Sequence, residues 1–205
     1  MVGDGMKALH KDFWMEIRKS KARFISIFLI VALGVAFFSG IQASSPDMRY
    51  SGDAYYEAAK LMDLKIQGTL GLTQRDVKAV SDIDGVELAE GGYSTDVMSG
   101  EDDARKVLHL ESISSNFNLL TADEGRIPEK SGEIFLDKPF AKNRGYKIGD
   151  TISVSEDGDS ELLKKTTYTV VGIGSSPLYI SFNRGNTTLG SGEVSGFGYI
   201  LPEDF

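Results

Sequence analysis

FISIFLIVALGVAFFSGIQA, residues Phe24 to Ala43, contains no charged side chain, and Gln42 at its far end is its one strongly polar group. As an α-helix the stretch is about 30 Å long at roughly 1.5 Å per residue, which matches the hydrocarbon core of a bilayer, about 30 Å. A helix pairs its own backbone N–H and C=O groups, so it can cross lipid without water. The stretch is therefore read as a transmembrane helix over residues 24–43. Lys19, Lys21 and Arg23 precede it, and the first charges after it are Asp47 and Arg49. Cationic flanks stay on the cytoplasmic side, so residues 1–23 are expected inside and residues 44–205 outside. The charge distribution agrees: residues 1–23 carry a net +3, the remainder −11 and the whole chain −8. A cleaved signal peptide fits less well, because such peptides have a shorter cationic lead-in and an apolar stretch of roughly 7–15 residues. Ala43-Ser44-Ser45 is only a weak cleavage site. A buried helix of a soluble protein is the reading that fits least, because the 20 residues lack any polar face.

Residues 44–205 are enough for one domain or two small subdomains. The chain's 23 glycines, with frequent Asp, Ser and Asn, imply many turns and a strand-rich fold. The fold class is thus α+β: one N-terminal transmembrane helix, then a strand-rich extracytoplasmic α+β domain. The chain has no cysteine, so its core or its neighbours must hold the external domain together without disulfides. The acidic exterior argues against nucleic acid, which requires a basic surface.

Before the span, residues 7–20 read as an amphipathic helix, with Leu9, Phe13 and Ile17 spaced by four and Trp14 suited to the membrane interface. Within the span, Ala32, Ala36 and Gly40 share one face, and small residues in that arrangement let helices approach closely. Beyond it, residues 45–60 can continue as a helix, with a break expected near Ser45-Pro46 because proline suits a helix start better than its interior. LMDLKIQ (61–67) alternates as a strand does. Thr73 is an N-cap for a short helix, with Asp76 in the capping-box position. Val86 to Met98 reads as an extended stretch broken at Gly91-Gly92. Together these predict a β-α-β part over about residues 61–113, which includes a strand at 104–113. A β-rich part over about 114–205 follows, with a loop-rich stretch at 114–132. Its strands are expected at EIFLD (133–137), TISV (151–154), TTYTVVGI (166–173) and FGYIL (197–201), with a short helix from Pro139 to Arg144.

Few residues suggest chemistry. A nucleophilic triad needs a positioned base, usually histidine, and the chain has only His10, expected inside the cell, and His109, which sits in a strand pattern with a structural role. Zinc has no plausible ligand set here. The acidic group Glu156, Asp157, Asp159 and Glu161 lacks the spacing of an EF-hand loop and reads as a solvated hairpin tip. GIGSSP (172–177) lacks the GK[ST] ending and following helix of a phosphate loop. No catalytic, cofactor-binding or metal-binding residue is assigned.

The stretch EGRIPEKSGEIFLDKPFAKNRGYKIGDTISV (124–154), followed by TYTVVGI (167–173), resembles the extracytoplasmic domain of FtsX/MacB-type ABC transporter permeases. The positions that carry the likeness are Gly125-Arg126-Ile127-Pro128, Gly132-Glu133-Ile134, Ala141, Gly145-Tyr146-Lys147-Ile148-Gly149-Asp150 and Val170-Val171-Gly172-Ile173. SSPLYISFNRG near the C-terminus and KDFWMEIRKSKARFISIFLIVALGVAFF at the start are similar to large permeases of Gram-positive bacteria. Gly125, Gly145 and Gly149 suit turns that need unusual backbone angles, and Asp150 suits a turn that its side chain caps.

The resemblance implies a permease subunit that couples a cytoplasmic ABC ATPase to its extracytoplasmic domain, sits in the lipid bilayer and pairs with a second permease copy or homologue. Motion, rather than passage through a wide channel, would be the output. The sequence is read as an N-terminal fragment, since such permeases carry further membrane helices and a cytoplasmic loop expected to contact the ATPase. The alternative is a single-pass membrane-anchored extracellular binding or sensor module. Neither reading makes it an enzyme or calls for a cofactor.

Overall fold

The computed structural model describes residues 3–100, 105–156, 162–181 and 183–205, with side chains from residue 10 onward. Most of the acidic segment, residues 157–161, lies outside the described residues. The chain divides into two compact units, residues 1–54 and 55–205.

The first unit is helical. Helix α1 spans Gly3–Lys19 and α2 spans Lys21–Ala58. No residue of α2 is buried, and by length and composition α2 can cross a membrane. Phe13 and Trp14 of α1 are exposed, as are Leu33 and Phe37 of α2. The break expected at Ser45-Pro46 is not formed, because α2 runs through Pro46 and Gly52. A proline deletes one backbone bond and crowds one carbonyl. A helix already nucleated by many apolar residues propagates past that local loss.

The second unit begins in the last turn of α2. It contains helix α3, Gln74–Ser81, and strands β1, Ser94–Ser99, β2, Lys106–Ser112, and β3, Thr121–Gly125. Strand β4, Glu133–Asp137, leads into helix α4, Lys138–Arg144. Strands β5, Thr151–Ser155, β6, Thr167–Ser175, and β7, Gly196–Ile200, complete the sheet. The strand order is β3-β6-β4-β7-β2-β1-β5, and β5 also pairs with β6. That last pairing closes six strands into a ring, with β3 attached to the outer half of the nine-residue β6. The pairs β2–β7 and β4–β6 are parallel, and the other neighbours are antiparallel.

Alternation assigns the two faces of the ring. Leu108 and Leu110 of β2, Ile134 and Leu136 of β4, and Ile152 and Val154 of β5 point inward with Tyr168 and Val170 of β6. Phe140 and Ala141 of α4 close this core. A bulge in β6 opposite Ile134/Phe135 shifts the alternation, so Ile173 also joins the core. On the outer face Phe135 packs with Phe197 and Tyr199. Gly172 and Gly174 make room for its ring, since a Cβ on either would lie 2.6 or 2.8 Å from it.

The strand expected over 61–67 is absent, and with it the β-α-β part over 61–113. Leu64 is 83% exposed and Leu70 fully exposed. Alternation marks which side chains share a face, but a strand also needs a neighbour for its backbone groups, and this stretch has none. β1 begins only at Ser94, and it pairs antiparallel with β2. The capped helix is present as α3: the Asp76 carboxylate accepts 2.7 Å bonds from the Thr73 N–H and hydroxyl. Val77 and Val80 of α3 are only half-buried. The loop-rich stretch 114–132 contains the additional strand β3, five exposed residues paired along one edge to β6.

Candidate functional site

Two constellations on the second unit tie chain segments together. The first is the terminus of α2. Helices end with unpaired carbonyls, and a left-handed residue just past the end lets following N–H groups turn back to them. Lys60 is that residue, at φ 49°. The Leu61 N–H donates to the Tyr56 carbonyl at 3.0 Å and the Lys60 N–H to the Glu57 carbonyl at 3.1 Å, the paired bonds of a Schellman terminus. Glycine is usual at this position because a Cβ is strained there; here it is a lysine. The next two carbonyls are met by the loop between β2 and β3. The Leu119 N–H donates to the Ala59 carbonyl at 2.8 Å and the Asn118 N–H to the Lys60 carbonyl at 2.9 Å. The Asn118 side-chain oxygen accepts from the Met62 N–H at 3.1 Å. Asn118 is itself left-handed, at φ 50°, a conformation asparagine tolerates better than most residues. Ala59, beneath this contact, is buried.

The second constellation lies on the outer face of β1, β2 and β7. Register places Asp96 opposite His109 and His109 beside Phe197. His109 Nδ1 lies 2.5 Å from Asp96, and its Nε2 lies 3.6 Å from Glu111. Glu111, a buried carboxylate, accepts 2.8 Å bonds from Lys65 Nζ and from the Tyr179 hydroxyl. Tyr179 stacks on Phe197 with centroids 3.7 Å apart. Arg184 lies 5.1 Å from the same ring and donates a 2.6 Å bond to Asp137. Asp137 also accepts from the Phe197 N–H. The cluster thus pins the segment after α2, through Lys65, and the loop after β6, through Tyr179 and Arg184, onto the sheet.

The electrostatics follow from burial and pairing. Burial pushes the His109 imidazole down, but the Glu111 and Asp96 carboxylates outweigh it and raise its pKa. Burial pushes Glu111 up, yet its bonds to His109 and Lys65 bring it down to about 2. Burial raises Asp137, against the opposing bonds from Phe197 and Arg184. Burial, with the Glu111 charge beside it, raises Tyr179 and keeps it a donor. Both ring nitrogens of His109 face carboxylates, so the ring is placed to hold the cluster. Among the described residues no group of three or more His, Cys, Asp or Glu side chains could hold a metal ion.

His109 lies in a strand, as its pattern predicts. Asp96, Glu111, Lys65, Tyr179 and the Lys60–Asn118 contact were not legible as a set. The one available signal was the i, i+2 spacing of His109 and Glu111, which puts both on one face of a strand. Gly125, Gly145 and Gly149 have φ of 72°, 78° and 93°, and Asp150 accepts from the Lys147 N–H at 2.8 Å. Gly145, Gly149 and Asp150 serve turns as expected, whereas Gly125 ends strand β3 and pairs with Gly172. GIGSSP lies largely within β6 and forms no phosphate loop. Ala36 and Gly40 are exposed along α2, Ala32 is partly covered, and a Cβ on Gly40 would meet nothing within 4 Å. Lys19 ends α1, while Lys21 and Arg23 lie in the first turn of α2; all three are exposed.

The described residues thus combine a helix long and apolar enough to cross a membrane with a closed α+β sheet module. Residues 24–202 match the model of the MacB-like periplasmic core domain, and the chain belongs to that family. By that family the chain carries a core module of the FtsX/MacB permease type, and α2 is its candidate membrane span. Among solved structures it is similar to the extracellular domain of the noncanonic ABC-type transporter YknZ from Gram-positive bacteria. That match has 13% identity and a TM-score of 0.42, and covers 65% of this chain and 64% of the other. No curated protein sequence matches the chain.

Proposed function

We propose that the chain is the N-terminal part of an ABC permease subunit whose extracytoplasmic module is moved by a cytoplasmic ATPase. The observation that carries this reading is the uninterrupted helix α2, which runs from the apolar span through Pro46 to Ala58. A continuous helix transmits displacement along its axis, whereas a broken one absorbs it. The module itself supplies bracing rather than chemistry: its histidine is held between carboxylates, and its buried acids are each bonded, Glu111 to Lys65 and Tyr179, Asp137 to Arg184, and Asp204 to Ser131 and the Gly132 N–H. It acts as a non-enzymatic, cofactor-free part that holds a partner or substrate.

In this reading the N-terminus is cytoplasmic, set by Lys19, Lys21 and Arg23, and residues 44–205 are extracytoplasmic. α1 lies against the inner leaflet through Phe13 and Trp14. Ala32, Ala36 and Gly40 form the face that packs against another membrane helix, in the same subunit or in a second permease copy. The domain limits 1–23, 24–43 and 44–205 follow from the same assignment.

The test is a short glycine insertion after Pro46 in the full-length permease with its ATPase. ATP hydrolysis should persist while the nucleotide-dependent change in hydrogen exchange of the external module disappears. An unchanged response in the module would show that α2 transmits nothing.

A further inference from the structure

The end of α2 is held in an uncommon way. A Schellman terminus satisfies two carbonyls internally and leaves the others to solvent. Here the Ala59 and Lys60 carbonyls are taken by the N–H groups of Leu119 and Asn118, and the Asn118 side chain reaches across to the Met62 N–H. Three hydrogen bonds therefore join three residues at the helix end, Ala59, Lys60 and Met62, to two residues of one loop. Lys60 and Asn118, the non-glycine residues with positive φ among the described residues, meet at this contact. Left-handed backbone at an ordinary L-residue is unfavourable and persists where surrounding contacts over-determine it. Two such residues bonded to each other mark a place where the geometry is held rather than merely permitted. The loop that does the holding is itself anchored. The Asn116 and Phe117 N–H groups donate to the Ser114 hydroxyl oxygen. The Ser114 hydroxyl donates to Glu90, and the Ile113 N–H donates to the Ile200 carbonyl at the end of β7.

We propose that Asn118 is the positioning residue that locks the end of α2 to the closed sheet, its side chain making the three bonds open and close as one unit. This rests on the reading of α2 as the moving element, and it names where motion would enter the module. The geometry makes a sharp distinction. If the bonds are independent, losing the Asn118 side chain frees only the Met62 N–H. If they form a lock, the same loss frees the Asn118 and Leu119 N–H groups as well.

The experiment is amide-resolved hydrogen exchange on the full chain in detergent micelles, comparing the parent with Asn118→Gly and Asn118→Asp. Glycine keeps the left-handed backbone and removes the acceptor; aspartate keeps both. In Asn118→Gly the amides of Met62, Asn118 and Leu119 should all exchange about fivefold faster, the effect of one lost hydrogen bond spread over a cooperative opening. Those of Asn116 and Phe117 should not change, and Asn118→Asp should behave as the parent. Acceleration at Met62 alone, no acceleration, or acceleration in Asn118→Asp equal to that in Asn118→Gly would each overturn the lock. If Asn118→Gly speeds Asn116 and Phe117 equally, the loop is loosened generally and the lock is likewise overturned. The measurement needs no ATPase, so its failure is separable from a failure of coupling, which the insertion after Pro46 reads.

Discussion

Position 60 should invert the ordinary ranking of alanine and glycine. In a helix interior, alanine is more favourable than glycine by about 1 kcal/mol. At Lys60, φ is 49°, and an L-residue there meets a left-handed penalty of about 1–2 kcal/mol that glycine escapes. Glycine gives back about 0.4–1 kcal/mol through its larger unfolded-state freedom. The balance leaves Lys60→Gly more stable than Lys60→Ala by about 1 kcal/mol, an estimate built from those two opposing terms. Comparing the two variants with each other, rather than with the parent, removes the loss of lysine charge near the helix terminus from the difference. The lysine side chain is exposed, so its burial does not enter. For a unit of roughly 150 residues that difference separates the melting temperatures by about 2–4 °C. The matching pair at exposed Lys78 in α3, Lys78→Gly and Lys78→Ala, should show the usual order, with alanine ahead by about 1 kcal/mol. The assay is thermal unfolding of the full chain in detergent, followed by near-ultraviolet circular dichroism of the tyrosines; the single tryptophan, Trp14, lies in α1 and does not report on the module. If Lys60→Ala melts at or above Lys60→Gly, Lys60 is not the left-handed terminus of α2 and the construction of this contact is wrong.

The Asp96–His109–Glu111 cluster should give the module two pH limbs. His109 is raised from 6.5, so its contribution to stability is full below about pH 6.5 and is lost as pH rises through the folded value. Glu111 is lowered from 4.5 to about 2, so its contribution is full above about pH 4.5 and is lost as pH falls toward 2. In urea titrations across pH, His109→Gln should flatten the alkaline limb and Glu111→Gln the acid limb; an unaltered alkaline limb in His109→Gln would exclude that residue as its source. In the membrane, Ala36→Leu should weaken crosslinking of α2 to a neighbouring helix while Phe37→Leu leaves it intact, and equal effects would remove the small-residue face. A reporter fused after Phe205 should work only if it is active outside the cytoplasm; activity of a cytoplasm-dependent reporter at that site would reverse the assigned orientation.

The sequence by itself determined what depends on composition and local pattern. The apolar run reads as a helix long and apolar enough to cross a membrane, because twenty uncharged residues offer no face for water. EIFLD coincides with β4, and the following helix and turn at Lys138–Gly145 carry their own proline and glycine signals. Thr73 and Asp76 announced α3 because a capping box is a contact between residues three apart. Tertiary structure decided what depends on a partner distant in sequence. LMDLKIQ alternates like a strand but has no neighbour to pair with, so it remains unpaired, while the exposed TADEG becomes β3 because the outer half of β6 offers it an edge. Closure of the sheet rests on β5 pairing with both β1 and β6. Lys60 carries no sign of a left-handed terminus, and Asn118 none of its role, since each is defined by the other across 58 positions of chain. The same holds for Glu111, whose low pKa is set by His109 on its own strand together with Lys65, brought from before the sheet, and Tyr179, from the loop after β6. Short-range hydrogen bonds and hydropathy are written in neighbouring letters; pairing partners, closure and electrostatic environment exist only once the chain has folded back on itself.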